Sequence, residues 1–289
     1  MSRVDDSLEQ DAQDLLAEAQ DAKDDAAPVV TRMARFGYVV DGVVYLLVGL
    51  LALDASLGAR SPNVSREEAL RAIVAEPLGR GLLVLIAVGL VAYAIGHLFM
   101  AARDPAKETK KGIANLVNRS AHALNGLITL SLALVAGQLG LGLGPKTSDG
   151  RTPADWTREL LALPLGQALV IGVGLGLLGL ALHQIHKAIT ANFRNVMRLD
   201  EMSDRQEMWL TSLGRVGYAV RSIIYGLMGI FLIQASRNFN PDEARGLGQT
   251  LVAIASQEYG LYLLAAVAAG FIAFGIYVIL VGRYREFNL

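Results

Sequence analysis

The chain has 289 residues, a formal net charge of −1, no cysteine, and 53% hydrophobic against 18% charged residues. That balance is too apolar for an ordinary soluble domain. It leaves no disulfide, thiolate nucleophile or cysteine metal site. No basic, aromatic-interleaved stretch is present to follow a nucleic-acid backbone, so nucleic acid is not an expected partner.

In chain order, residues 1–30 hold nine Asp/Glu against Arg3 and Lys23. This is the reverse of a basic signal-peptide start. Leu8, Leu15, Leu16 and Ala19 recur at near-helical spacing before the break "DDAAPVV". The segment reads as an acidic cytoplasmic tail, disordered or weakly helical, with docking onto the basic stretch "RDPAKETKKGIANLVNR" as the alternative. A bilayer core about 30 Å thick needs roughly 20 apolar residues in a helix. Six runs meet that requirement, at about 36–57, 79–102, 120–143, 165–189, 214–235 and 260–282. The expected class is an all-α membrane protein with six transmembrane helices and the lipid bilayer as its surroundings.

Between the runs, "SREEALRAIVAE", "TPADWTRELLAL" and "PDEARGLGQTLVAIAS" read as short amphipathic helices. They are expected to lie on the outer membrane surface, with Trp156 as an interfacial anchor. Pro77 and Pro164 suit the first turn of the spans that follow, where no amide hydrogen is missed. With the N-terminus inside, inner segments carry sixteen Lys/Arg and outer loops nine. Both termini are therefore expected in the cytoplasm, with the protein multi-pass in the plasma membrane.

The chain repeats itself. "RFGYVVDGVVYLLVGLLALDAS" from Arg35 and "RVGYAVRSIIYGLMGIFLIQAS" from Arg215 align without gaps, with "RSAHALNGLITLSLALVAGQLG" from Arg119 as a weaker third copy. The second helix of each unit also matches, opening at "EPLGRGLL", "LPLGQALV" and "QEYGLYLL" with a glycine ten residues on from the first one in each opening, at Gly89, Gly176 and Gly270. Three hairpin units follow, at 31–105, 116–197 and 209–287. Two spans per unit make the repeats parallel, related by an axis along the membrane normal. The expected arrangement is pseudo-threefold, with helices 1, 3 and 5 inner and 2, 4 and 6 outer.

The Arg-x-Gly-Tyr opening, the Tyr seven residues later, the following Gly and the "PLGR" start of the second helix resemble the family known as domain of unknown function 1206, bacterial membrane proteins built from tandem two-helix repeats. The resemblance covers about 33–287. The middle copy departs most, with Ala121 and His122 for Gly-Tyr and Thr129 for the later Tyr. The resemblance implies architecture and brings no activity or functional residues.

One face of each odd helix is polar near its cytoplasmic end. It carries Tyr38, Asp41 and Tyr45 in the first unit, His122, Asn125 and Thr129 in the second, and Tyr218, Arg221 and Tyr225 in the third. A lone charge at the bilayer centre costs about 2.5–3.5 kcal/mol. Asp41 and Arg221 are therefore expected to pair, with Asn125 completing the cluster. The alternative has Arg221 reaching the headgroups and Asp41 sitting in interfacial water. Asp54, Gln138 and Gln234 coincide near the outer end but fall on another face.

All four histidines, His97, His122, His183 and His186, fall near the cytoplasmic end. His183 and His186 are weak metal candidates because no carboxylate accompanies them, and no cofactor is expected. The glycines of "GVGLGLLG" read as helix-packing positions rather than a phosphate loop. No nucleophile with a recognisable base appears, so an enzyme is not expected. The leading functional reading is a scaffold or accessory subunit with a membrane-protein partner. The second is a small-solute or ion pathway near the pseudo-threefold axis. A haem or quinone site at the histidine end is the third.

Overall fold

A computed structural model describes residues 31–59, 61–102, 113–143, 152–198 and 202–285. The acidic tail, and with it the docking onto the basic inner stretch, lies outside the described residues. The helices are α1 (Thr31–Ser56), α2 (Arg66–Val74), α3 (Gly79–Ala102), α4 (Ile113–Gly140), α5 (Pro153–Leu161), α6 (Gly166–Thr190), α7 (Asp204–Arg237), α8 (Leu247–Ala255) and α9 (Gly260–Tyr284). Six of them, α1, α3, α4, α6, α7 and α9, are long and apolar enough to cross a membrane. Short amphipathic helices stand before the second span of each unit, as the sequence leads one to expect.

Local chemistry explains the helix starts. Ser65 caps α2 by accepting from the Glu68 amide. Thr152 forms a reciprocal capping box with Asp155 at α5, and its hydrogen bonds hold the Asp155 carboxyl below the ordinary carboxylate range. Ser203 and Gln206 form a second box at the start of α7. That cap begins α7 well ahead of its apolar run, so its 34 residues extend about 51 Å, beyond a 30 Å core.

Pro77 and Pro164 stand two residues ahead of α3 and α6 instead of within their first turns. The turn itself is made by Leu78 and Leu165, at φ 68° and 63°. Glycine follows at 79 and 166 because a Cβ there would overlap the carbonyl oxygens of Ile73 and Leu160. Gly260 meets Ala255 in the same way. The third unit, which lacks the proline, turns differently, with Tyr259 at φ −106° ahead of Gly260.

The spans pack through glycines. On α1 and α9, a Cβ at Gly42 would lie 2.7 Å from the Gly275 carbonyl oxygen, and one at Gly275 would lie 2.7 Å from that of Gly42. Such close backbone approach is how helices associate in lipid. On its other side α1 meets α3, where a Cβ at Gly37 would lie 2.7 Å from the Tyr93 amide nitrogen. The neighbouring units join through α3 with α4 and through α6 with α7. The third unit closes through α7 with α9. Among the described residues no comparable packing joins α4 to α6. The order is thus α4–α3–α1–α9–α7–α6, an open arc.

Burial does not divide odd helices from even ones. In the most apolar stretch of each span, 61% of α9 is buried, 56% of α1 and only 17% of α7. The expected inner set of helices 1, 3 and 5 is replaced by a centre at the α1–α9 contact. The physical reason is that the small residues allowing closest approach face each other there, and not around a threefold axis.

The expectation for α2 also needs correction. Its Leu70 and Ile73 are buried in one cluster with Val40, Val44, Leu83, Leu90 and Leu132, so it packs into the bundle instead of lying on the outer surface. Arg66, at its first position, forms an ion pair with Asp41 of α1. Asp41 is 3% exposed. It sits about 15 Å along α1 from its start, at 1.5 Å per residue, which is deeper than the apolar run implies. At the same end of the bundle, Arg158 of α5 reaches Asp242 at 3.0 Å.

Two outcomes follow for folding. Asp41→Asn alone or Arg66→Gln alone should lower the folded, monodisperse yield in mild detergent, because breaking one side of a buried pair costs about 3–5 kcal/mol. The charge-reversed double variant should recover part of that loss, whereas reversing residues 41 and 221 together should recover none. Gly42→Val should likewise destabilise, by at least the roughly 1–3 kcal/mol of an overpacked core. Gly172→Ala, which meets nothing within 4 Å, should melt no lower than wild type.

Candidate functional site

Every spanning helix contributes to one cavity of about 330 Å³ near the end of the bundle where α1 begins and α9 ends. Its deep end is formed by Arg221 and Tyr225 of α7 with Phe274 of α9. Toward the bundle end stand His97 of α3, His122 of α4, His183, His186 and Lys187 of α6, and Arg285 just after α9. Phe193 and Met197 enter from the segment after α6. That segment is pinned by an isolated bridge between Met197 and Arg285 and by the Arg198 amide donating to the Tyr284 carbonyl at 3.0 Å.

The sequence-level cluster is brought together here, but with different partners. Asp41 is bonded to Arg66, not to Arg221. The Arg66 guanidinium lies 4.7 Å from the centre of the Tyr45 ring, and that of Arg221 lies 5.2 Å from the same ring. One carboxylate and two guanidinium groups thus surround Tyr45. Arg221 donates to the Tyr225 hydroxyl at 2.6 Å and lies 4.5 Å from the Phe274 ring centre. It has no carboxylate partner among the described residues, and its Nε is buried without an acceptor. Arg221 does not reach away to the headgroups; aromatic rings hold it inside the bundle.

Asn125 turns away from the charged pair. Its amide donates to His97 Nε2 at 3.3 Å and approaches the Tyr93 hydroxyl at 3.5 Å. His97 and His122 meet Nδ1 to Nδ1 at 3.0 Å. If Asn125 donates to Nε2, the proton of neutral His97 resides on Nδ1 and is given to His122, whose own proton is then on Nε2. Tyr38 accepts from Arg285, and the Tyr218 and Tyr277 hydroxyls meet at 3.4 Å. Thr129 is fully buried, with a hydroxyl that has no partner among the described residues.

His183 and His186 both line the cavity. Among the described residues no group of three or more His, Asp or Glu side chains is placed to hold a metal ion. Asp54, Gln138 and Gln234 are exposed and do not line the cavity. Of the glycines in "GVGLGLLG", only Gly174 makes a close helix contact, with α7; Gly172, Gly176 and Gly179 meet nothing within 4 Å.

Sequence reasoning missed Arg66, Lys187, Arg285, Tyr93 and Tyr277. One signal was available for two aromatic lining residues: Tyr93 and Phe274 each stand four residues after the repeated glycine of their unit, Gly89 and Gly270. For Arg66 no local signal existed, since it opens an amphipathic helix of ordinary surface composition.

The lining is cationic. Among the described residues it contains Arg221, Lys187 and Arg285 and no Asp or Glu. Such a site can hold an anion by charge and hydrogen bonding.

Comparison with known proteins follows the repeat. The family model described as Domain of Unknown Function (DUF1206) matches three times, at 36–104, 121–191 and 216–285. A protein of Bacillus subtilis (strain 168) described as uncharacterized protein YxxB is 29% identical over 266 residues, covering 91% of this chain and 94% of the relative. No solved structure matches. Three consecutive matches over most of the chain, falling on the three hairpins, mean that this protein belongs to the DUF1206 family.

Proposed function

We propose that this protein is a non-enzymatic, multi-pass protein of the bacterial plasma membrane that binds an anionic ligand in the cavity between its helices. The observation that carries the reading is Arg221, a half-buried cation whose Nε is buried without an acceptor and which has no carboxylate partner among the described residues, at the deep end of a cavity whose described lining adds two further cations and no acid. A buried ion costs several kcal/mol unless compensated, and a bound anion supplies the compensation. The excess of Lys and Arg in the inner segments supports placing the cavity toward the cytoplasm.

An interior space favours ligand binding over the scaffold role, which needs none. Binding is also favoured over passage across the membrane. The lining ends at Ile128, Tyr225 and Phe274, with Tyr45, Arg66 and Arg221 clustered around one ring at that level. For haem, His97 offers no free nitrogen, since its Nδ1 meets His122 and its Nε2 meets Asn125.

Thermal unfolding of the purified full chain in mild detergent tests this reading. Inorganic phosphate, pyrophosphate and glycerol 3-phosphate are compared with glycerol and choline at matched ionic strength. An anion at a hundred times its Kd adds about 2.7 kcal/mol, so at least one should raise the melting temperature by several degrees while the neutral and cationic compounds do not. Arg221→Met should abolish the shift, and its unliganded melting temperature should equal or exceed that of wild type, because an uncompensated charge is replaced by an apolar side chain of similar length. Absence of any anion-dependent shift in wild type overturns the proposal.

A further inference from the structure

The three hairpins are not closed alike. In the first unit Val40 of α1 packs into the space left by Gly89 of α3, so that a Cβ on that glycine would overlap the valine. In the third unit Val220 of α7 packs into Gly270 of α9 in the same manner. One turn away, Gly37 meets the Tyr93 backbone and Gly217 meets Phe274. The equivalent pair in the middle unit is Leu124 and Gly176. Leu124 is 44% exposed, and a Cβ on Gly176 would meet nothing within 4 Å. The α4 and α6 helices belong to one hairpin yet pack on α3 and α7 respectively, with no comparable contact between them among the described residues.

This opening adjoins the cavity. Leu124, Asn125 and Ile128 line it from α4, and Leu180, His183 and Lys187 line it from α6. The outward side is apolar, with Leu124, Leu127 and Ile128 exposed on one helix and Val173, Leu175 and Leu182 on the other. In a spanning bundle such a slit faces acyl chains, whereas the interior behind it is cationic. The two chemistries meet in one molecule only if that molecule is an anionic amphiphile.

We propose that the ligand is an anionic phospholipid that enters sideways between α4 and α6. Its phosphate is received by Arg221, Lys187 and Arg285, and its chains leave through the slit between Leu124 and Gly176. This rests on the anion-binding reading above and adds to it the source of the anion and its route. The exposed Gly172, Gly176 and Gly179 of α6 leave a smooth wall against which a methylene chain can lie.

The test uses the full chain in mild detergent, with phosphatidylglycerol and phosphatidylcholine of identical chains followed by native mass spectrometry, and soluble glycerol 3-phosphate followed by thermal shift. Gly176→Phe fills the slit without a clash, and Ile95→Phe places the same ring on an exposed position of α3. With three basic groups near an anionic headgroup, wild type should retain phosphatidylglycerol about tenfold or more over phosphatidylcholine. Gly176→Phe should lower phosphatidylglycerol binding about tenfold while leaving the glycerol 3-phosphate shift in place, and Ile95→Phe should change neither. Unchanged lipid binding in Gly176→Phe, or wild type that binds glycerol 3-phosphate but does not prefer the anionic lipid, overturns the lateral lipid site and leaves the anion-binding reading standing. If neither the lipid nor the soluble anion binds, both fall.

Discussion

Two guanidinium groups share the Tyr45 ring, and a buried carboxylate is bonded to one of them. Asp41 is committed to Arg66, and Tyr45 lies under both arginines. Cation–π contacts contribute about 0.5–2 kcal/mol each, and Arg221 has them with Tyr45, Tyr225 and Phe274. They soften the desolvation of Arg221 without neutralising it. The arrangement draws α2 into the bundle through Arg66 and leaves a positive interior beside the cavity. Helix position and site electrostatics thus share one cause.

The repeat explains how such a cavity arises in a helical bundle. The first and third units keep the valine-to-glycine contact that closes a hairpin. The middle unit carries Leu124 and Gly176 at those positions, and also departs at Ala121, His122 and Thr129. Its two helices attach instead to their neighbours. One side of the bundle is held by the tight Gly42–Gly275 approach, while among the described residues the opposite side has no equivalent seam. The copy that departs from its siblings also adds polar groups to the cavity wall, where His122 and Asn125 join His97.

Much of the fold was legible in the residues. The six spans, the amphipathic helices between them and the threefold repetition follow from run length and 3.6-residue periodicity. The gathering of Tyr38, Asn125, His122, Tyr218, Arg221 and Tyr225 at one end was also legible, because each aligned position occupies the same level of its helix. The expected Asp41–Arg221 pair was not formed, since nothing in the two matching stretches reports where Arg66 goes. The sixth span, α9, proved the most buried because its Gly275 meets Gly42, a contact between the first and last units that no repeat alignment contains.

The chain alone determined the number of crossings, the internal triplication and the end of the bundle that is polar, since these depend on composition and spacing within short segments. Only the tertiary structure decided which cation Asp41 takes, which cation is left over and which hairpin stays open. A carboxylate pairs with whatever guanidinium the path of the chain brings within reach, and a glycine is a packing site only when another helix arrives to fill it.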